Sequence, residues 1–256
     1  MNTDKAWYLG CTRDQVGERV ILIGDPGRVP RLSQYLEDVQ LLPVNRGLVT
    51  ATGRYHGVPV TMAAFGMGAP IAAIVLHELR QLGAGIFLRI GTAMPLPPVE
   101  IGDFVIAEGA IRHEGTSDAY ASPEHLAIAD ETLVKAAVNA VEENGHSYRV
   151  GSFASYDGFY KDMFALDTET STRVRTNFEK LSEQGVLAVD METSALLTVG
   201  NVLGCKVSSL CVATVDGLKQ LRMSSEELIR AEKDLIAIAL AAVTATEMPE
   251  AKEPSG

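Results

Sequence analysis

Four short stretches of this 256-residue chain set charged or hydroxyl side chains where an apolar run ends, three of them beside glycine. Gly24-Asp25-Pro26-Gly27-Arg28 closes the run Arg19–Gly24. Its glycines permit a tight turn whose N–H groups can face an anion, and Arg28 adds a guanidinium fork matched to phosphate. A Pro-Gly turn serves equally as structural punctuation. Arg89-Ile90-Gly91-Thr92 ends a second run, Gly85–Ile90. An arginine behind Ile86, Phe87 and Leu88 needs a ligand or a salt bridge, because an unpaired buried charge is costly. In Asp190-Met191-Glu192-Thr193-Ser194 the two carboxylates either cap a helix or, through Glu192, accept hydrogen bonds from sugar hydroxyls. Thr214-Val215-Asp216-Gly217 ends another apolar run, with Asp216 as a turn residue or an acid facing a ligand. Ligands of α/β proteins collect at the carboxyl ends of strands. Two arginines and two acid sites there predict a pocket with a positive and a negative half.

The elements that must position these residues follow from hydrophobic patterning. Buried strands are expected at Arg19–Gly24, Val58–Phe65, Gly85–Ile90, Asp103–Ala107 and Val207–Val215. Helices are expected at Ala69–Leu82, Ile128–Asn144, Thr193–Leu203 and Glu226–Thr246. Ser224 and Glu227 have capping-box spacing ahead of the last one. The alternation predicts an α/β domain with a mixed or parallel sheet covered on both faces. Residues 1–247 read as one domain, and 248–256, rich in Pro, Glu and Gly, as a disordered tail.

Composition narrows the partners. The net charge of −11 disfavours nucleic acid and anionic membrane surfaces. No segment reaches the length of a membrane span, and the N-terminus lacks a signal-peptide core. Cys11, Cys205 and Cys211, an odd set without metal-binding spacing, fit reduced thiols in a cytoplasmic protein. The five histidines are scattered, so no metal site is expected. Trp7 reads as an interface anchor.

Taken in order, GDPGRV at 24–29, Asn45-Arg46, FLRIGT at 87–92, SYDGFY at 155–160 and DMETSALL at 190–197 resemble the nucleoside phosphorylase family of uridine phosphorylases and hexameric purine nucleoside phosphorylases. The likeness spans nearly the whole chain. It implies a mixed, distorted, barrel-like central sheet flanked by helices, a cytoplasmic homo-oligomer built from dimers, most simply a hexamer, and no cofactor beyond inorganic phosphate as co-substrate. It also implies a phosphate cradle of Gly24, Arg28, Arg89 and Thr92, completed by Arg46 of a neighbouring subunit. Met191 and Glu192 would hold the ribose, with Tyr8 of the neighbour reaching the 5′-hydroxyl, and Phe159 would stack on the base. Asp190 stands where many relatives carry a glutamate one methylene longer, and with Phe159 and Asp216 it would contact the base. Gly47 and Ile71 replace residues that assist a monovalent cation in uridine enzymes.

The base is the open point. Uridine enzymes read uracil with a glutamine and an arginine just after the stacking aromatic. Here the stretch is Lys161-Asp162-Met163-Phe164-Ala165, and that clamp is missing. Asp216-Gly217 resembles purine-cleaving relatives, in which the acid donates a proton to N7. A purine nucleoside is therefore the expected substrate, with Asp216 as acid and Arg89 as catalytic counter-charge, and uridine as the alternative. A nucleosidase that uses water, or a nucleoside-binding protein without activity, would be expected to lose the arginines or the acids, and the chain retains both.

Overall fold

The computed structural model describes residues 5–219 and 221–249. Its strands are β1 (Arg19–Ile23), β2 (Glu37–Leu41), β3 (Thr50–Tyr55), β4 (Val58–Ala64), β5 (Ile86–Pro95) and β6 (Phe104–His113). They continue with β7 (Ala127–Ile128), β8 (Tyr148–Tyr156), β9 (Val186–Asp190), β10 (Lys206–Ala213), β11 (Val215–Asp216) and β12 (Leu221–Arg222). The helices are α1 (Val29–Leu32), α2 (Ala69–Gln81), α3 (Glu131–Glu143), α4 (Thr168–Glu183), α5 (Thr193–Val202) and α6 (Ser225–Ala245).

One mixed sheet organises the chain in the order β10-β6-β8-β9-β5-β1-β4-β3-β2. β5 closes it into a five-stranded barrel by working along two edges. Its first half pairs in parallel with β1 and with β10, while Met94 and Pro95 at its end pair antiparallel with β9. The small α/β domain is thus a closed barrel of β5, β9, β8, β6 and β10 with an open wing of β1, β4, β3 and β2. One apolar cluster packs α3 and α6 against the sheet, a second packs α2 and α5, and a third lies beneath α4. Met248 packs against the first of these. Residues 250–256 of the expected tail lie outside the described residues.

The strands extend further than the apolar runs suggest. β6 is apolar and buried only to Ala107, where a bulge shifts its register against β8. Beyond it the side chains are partly exposed, so the strand continues without a hydrophobic signature. β8 and α4 escape the patterning for a related reason, since each buries only part of its length. The helix expected from Ile128 starts at Glu131, because the Asp130 side chain accepts the Leu133 N–H at 2.9 Å and caps it. The expected capping box forms, with Ser224 and Glu227 bonding reciprocally ahead of α6. No helix among the described residues is long and apolar enough to cross a membrane.

Candidate active site

A cavity of about 460 Å³ opens at the carboxyl ends of β1, β5, β9 and β10. The topology brings Gly24, Arg28, Arg89 and Thr92 to one side of it and Asp190, Met191 and Glu192 beside them. Phe159, Met163, Met94 and Val215 form an apolar remainder.

Arg89 is the centre of the polar side. It is 5% exposed, and its Nη2 donates to Glu192 Oε2 at 2.6 Å while Nη1 lies 3.2 Å from Asp190 Oδ2 and donates to the Cys211 sulfur at 2.7 Å. Burial works against the guanidinium charge, but the Asp190 and Glu192 carboxylates beside it outweigh that cost, so the arginine stays charged. Gly91 makes this conformation possible, because a Cβ there would lie 3.1 Å from Arg89 Nη1. Burial raises the Glu192 carboxyl and Arg89 partly offsets that rise. The other Glu192 oxygen accepts the Gly68 N–H at 2.7 Å, at the start of α2. The expected positive and negative halves are therefore not separate: acid and arginine are already paired.

Asp190 is held inside the wall. Ser155 donates to it at 2.6 Å, Thr193 donates through both hydroxyl and N–H, and Arg89 is its counter-charge. Ser155, Thr193 and Cys211 were not singled out from sequence, since their roles depend on β8, α5 and β10 meeting at one point. Each left only a trace, Ser155 inside SYDGFY, Thr193 inside DMETSALL and Cys211 among the cysteines. Arg28 follows the turn at Pro26–Arg28, where the Asp25 side chain accepts the Gly27 N–H at 2.8 Å. That N–H is spent within the turn rather than offered to an anion. Glu232, on α6, lies 2.8 Å from Arg28 Nε and was also not anticipated.

Phe159 opens a single π-helical turn, Phe159–Met163, and stacks on Phe164 at 5.9 Å with the planes 13° apart. Lys161 and Asp162 face a different surface depression, beside His113. Asp216 does not line the cavity. Its carboxylate accepts the Leu218 and Lys219 N–H groups at 3.0 and 2.9 Å and meets Lys219 Nζ at 3.1 Å. Burial opposes ionisation, yet these Lys219 and Leu218 contacts prevail and hold the carboxyl below its usual range.

Arg46 and Tyr8 also lie off the cavity, but together: the Arg46 guanidinium sits 4.8 Å from the Tyr8 ring centroid. Arg46 adopts φ 52° in the tight turn between Asn45 and Leu48, a left-handed conformation rare for a residue with a side chain. Asn45 donates to the Tyr8 carbonyl at 2.8 Å, and Glu78 accepts the Tyr8 and Leu9 N–H groups. Trp7 beside them is 70% exposed.

Residues 18–244 match the profile of the Phosphorylase superfamily. The chain belongs to that superfamily. Among curated relatives of this superfamily member, a uridine phosphorylase of Thermococcus kodakarensis is 33% identical over 98% of this chain and 90% of its own. A guanosine phosphorylase of Halorubrum lacusprofundi is 34% identical over 93% of this chain and 98% of its own. The crystal structure of uridine phosphorylase from Vibrio fischeri ES114 superposes with a TM-score of 0.85 at 29% identity, covering 96% of this chain and all of that one. This superfamily member is a pentosyltransferase, a nucleoside phosphorylase, with the barrel and flanking helices that its motifs implied.

Proposed function

We propose that this nucleoside phosphorylase cleaves uridine, passing its ribose to inorganic phosphate and releasing uracil. The observation that carries the choice of base is the state of Asp216, ionised and occupied by Lys219 and two backbone N–H groups outside the cavity. A purine leaves with the help of a proton at N7, and this carboxylate has none to give. Uracil leaves as an anion spread over its ring and carbonyl oxygens, which needs no protonated acid. Of the two sequence arguments for a purine, the one that rested on Asp216 loses its footing. The Thermococcus relative, named a uridine phosphorylase, points the same way.

In this reading Gly24, Arg28, Arg89 and Thr92 hold phosphate beneath the anomeric carbon. As the glycosidic bond lengthens, the sugar takes on oxocarbenium character and the phosphate dianion acts as both counter-charge and nucleophile. Glu192 keeps one oxygen on Gly68 and one on Arg89, and its remaining lone pairs take the 2′- and 3′-hydroxyls beside Met191. Arg89 thus links phosphate to ribose, and Asp190 fixes Arg89 rather than reading the base. Phe159 stacks on uracil. Arg46 and Tyr8, clasped together away from their own cavity, serve the cavity of a neighbouring subunit in a cytoplasmic homo-oligomer built from dimers. The chemistry uses no cofactor or metal.

A guanosine reading keeps two supports: the stretch Lys161-Asp162-Met163-Phe164-Ala165 lacks the glutamine and arginine with which uridine enzymes read uracil, and the Halorubrum relative is named a guanosine phosphorylase. Release of base from uridine, guanosine, inosine and adenosine, each with and without phosphate, tests both. Uridine turnover that depends on phosphate and exceeds the purines is expected. Faster guanosine turnover would replace the base, and release without phosphate would replace the reaction. Asp216→Asn should leave uridine turnover within about threefold, because an acid already ionised and paired with Lys219 has no proton to lose in the transition state.

A further inference from the structure

We propose that Glu232 is the positioning residue of the phosphate site, setting the direction of Arg28; the inference rests on Arg28 being a phosphate ligand. α6 carries an apolar stripe that includes Leu235, Ile236, Ala239 and Val243, all buried against the sheet. Glu232 begins that stripe and is itself only 5% exposed. A carboxylate on the buried face of a helix persists only when it is paired. Its partners are two arginines of one segment: Oε1 lies 2.8 Å from Arg28 Nε, and Oε2 accepts from Arg31 Nη2 at 2.8 Å.

The side on which Arg28 is gripped matters. Glu232 meets the inner nitrogen, Nε, as an ion pair at 2.8 Å without hydrogen-bond geometry, and Asp25 Oδ2 at 3.8 Å is a weaker second contact. Among the described residues neither Nη of Arg28 has a protein partner, and Arg28 lines the cavity. The carboxylate therefore anchors the guanidinium from behind and leaves its outer fork facing the anion. Arg31 does not line the cavity and is half exposed, so it pairs with the far oxygen of the carboxylate without entering the site. Arg89 is held in the opposite manner, with its outer nitrogens already on carboxylates. Arg28 is then the guanidinium whose outer fork is free for an incoming phosphate.

Two physical pictures predict opposite signs. If Glu232 acts only as a negative charge near the anion, removing that charge tightens phosphate. If it aims Arg28, removing it weakens phosphate, because a loose guanidinium loses its bidentate geometry. Calorimetric titration of inorganic phosphate into the full chain, together with phosphate and nucleoside KM values on whichever of uridine and guanosine is turned over, decides between them. Glu232→Gln is expected to weaken phosphate about tenfold while kcat and nucleoside KM stay within about threefold. Glu232→Asp should fall between it and the unchanged protein, and Arg31→Ala should leave phosphate affinity unaltered. On an Arg28→Ala background, Glu232→Gln should add nothing, since one residue acts through the other.

Unchanged or tighter phosphate in both Glu232 variants, or full additivity with Arg28→Ala, overturns the positioning role. Arg28→Ala with unaltered phosphate affinity overturns instead the assignment of Arg28 to phosphate. Should Glu232→Gln not fold, the Glu232→Asp titration and its combination with Arg28→Ala carry the same decision.

Discussion

The polar side of the cavity, proposed for phosphate, stands on strand ends packed inside the barrel, whereas the apolar side, proposed for the base, stands on a one-turn π-helix and a short hairpin outside it. Arg89, Asp190 and Glu192 are all nearly enclosed, and each carboxylate already pairs with the one guanidinium before any ligand arrives. Phe159 is half-buried, and the β11–β12 hairpin is two residues on each strand. Buried, paired charges resist substitution because each depends on the others. A stacking surface made of apolar side chains tolerates exchange and selects its ligand weakly.

The contrast breaks most severely at Arg89. Arg89→Ala leaves Asp190 and Glu192 unpaired in the interior, so a loss of roughly 3–5 kcal/mol of stability is expected by denaturant titration. In whatever fraction stays folded, kcat should fall by ~10²–10³-fold, measured with saturating phosphate. Wild-type stability would mean that the carboxylates find other partners.

Gly91→Ala sharpens the same half. Its new methyl group would meet Arg89 Nη1 at 3.1 Å and push the guanidinium off Glu192. A loss of about 10²-fold in kcat/KM is expected in stopped-time assays of base release. Near-normal activity would show that the arginine can retreat at no cost.

The base side should respond more mildly and to one substrate only. Phe159→Ala is expected to raise nucleoside KM about tenfold, the worth of one lost stacking contact, with phosphate KM unchanged. Equal effects on both substrates would dissolve the division between the halves.

The smallest effect concerns pH and thiols. Burial raises Cys11 and Cys205 to about 11 and Cys211, despite the opposing Arg89 charge, to about 12. The thiolate is the reactive form, so raised values mean little of it at neutral pH and faster modification as pH climbs toward 11. All three thiols of the folded protein should react slowly with a thiol reagent near pH 7, and Cys211 slowest of all. Fast loss of one thiol near neutrality would mark local opening of its strand or segment.

Much of the polar side was legible before folding. A glycine turn before Arg28, an arginine closing an apolar run, and two acids at a strand-to-helix junction carry local signals, because charge inside an apolar run must be accounted for. The five buried strands and the main helices were legible for the same reason, their side chains being apolar at a regular period. The bulged half of β6, β8 and α4 were not, because partial burial leaves a mixed pattern.

The sequence by itself determined the family, the strand ends and the types of group that gather there. Only the tertiary structure decided how those groups pair. Arg89 meets Cys211, Asp190 and Glu192 because β5 closes the barrel against β9 and β10, a contact that spans about a hundred residues or more of chain. Glu232 looked like one more charged helix residue until α6 turned it inward onto Arg28. Asp216 looked like an acid aimed at a ligand until Lys219, three residues on, closed over it. Residue type sets what charge a site can hold, but a charge acquires its direction only from the neighbours that desolvate and pair with it, and long-range packing chooses those neighbours.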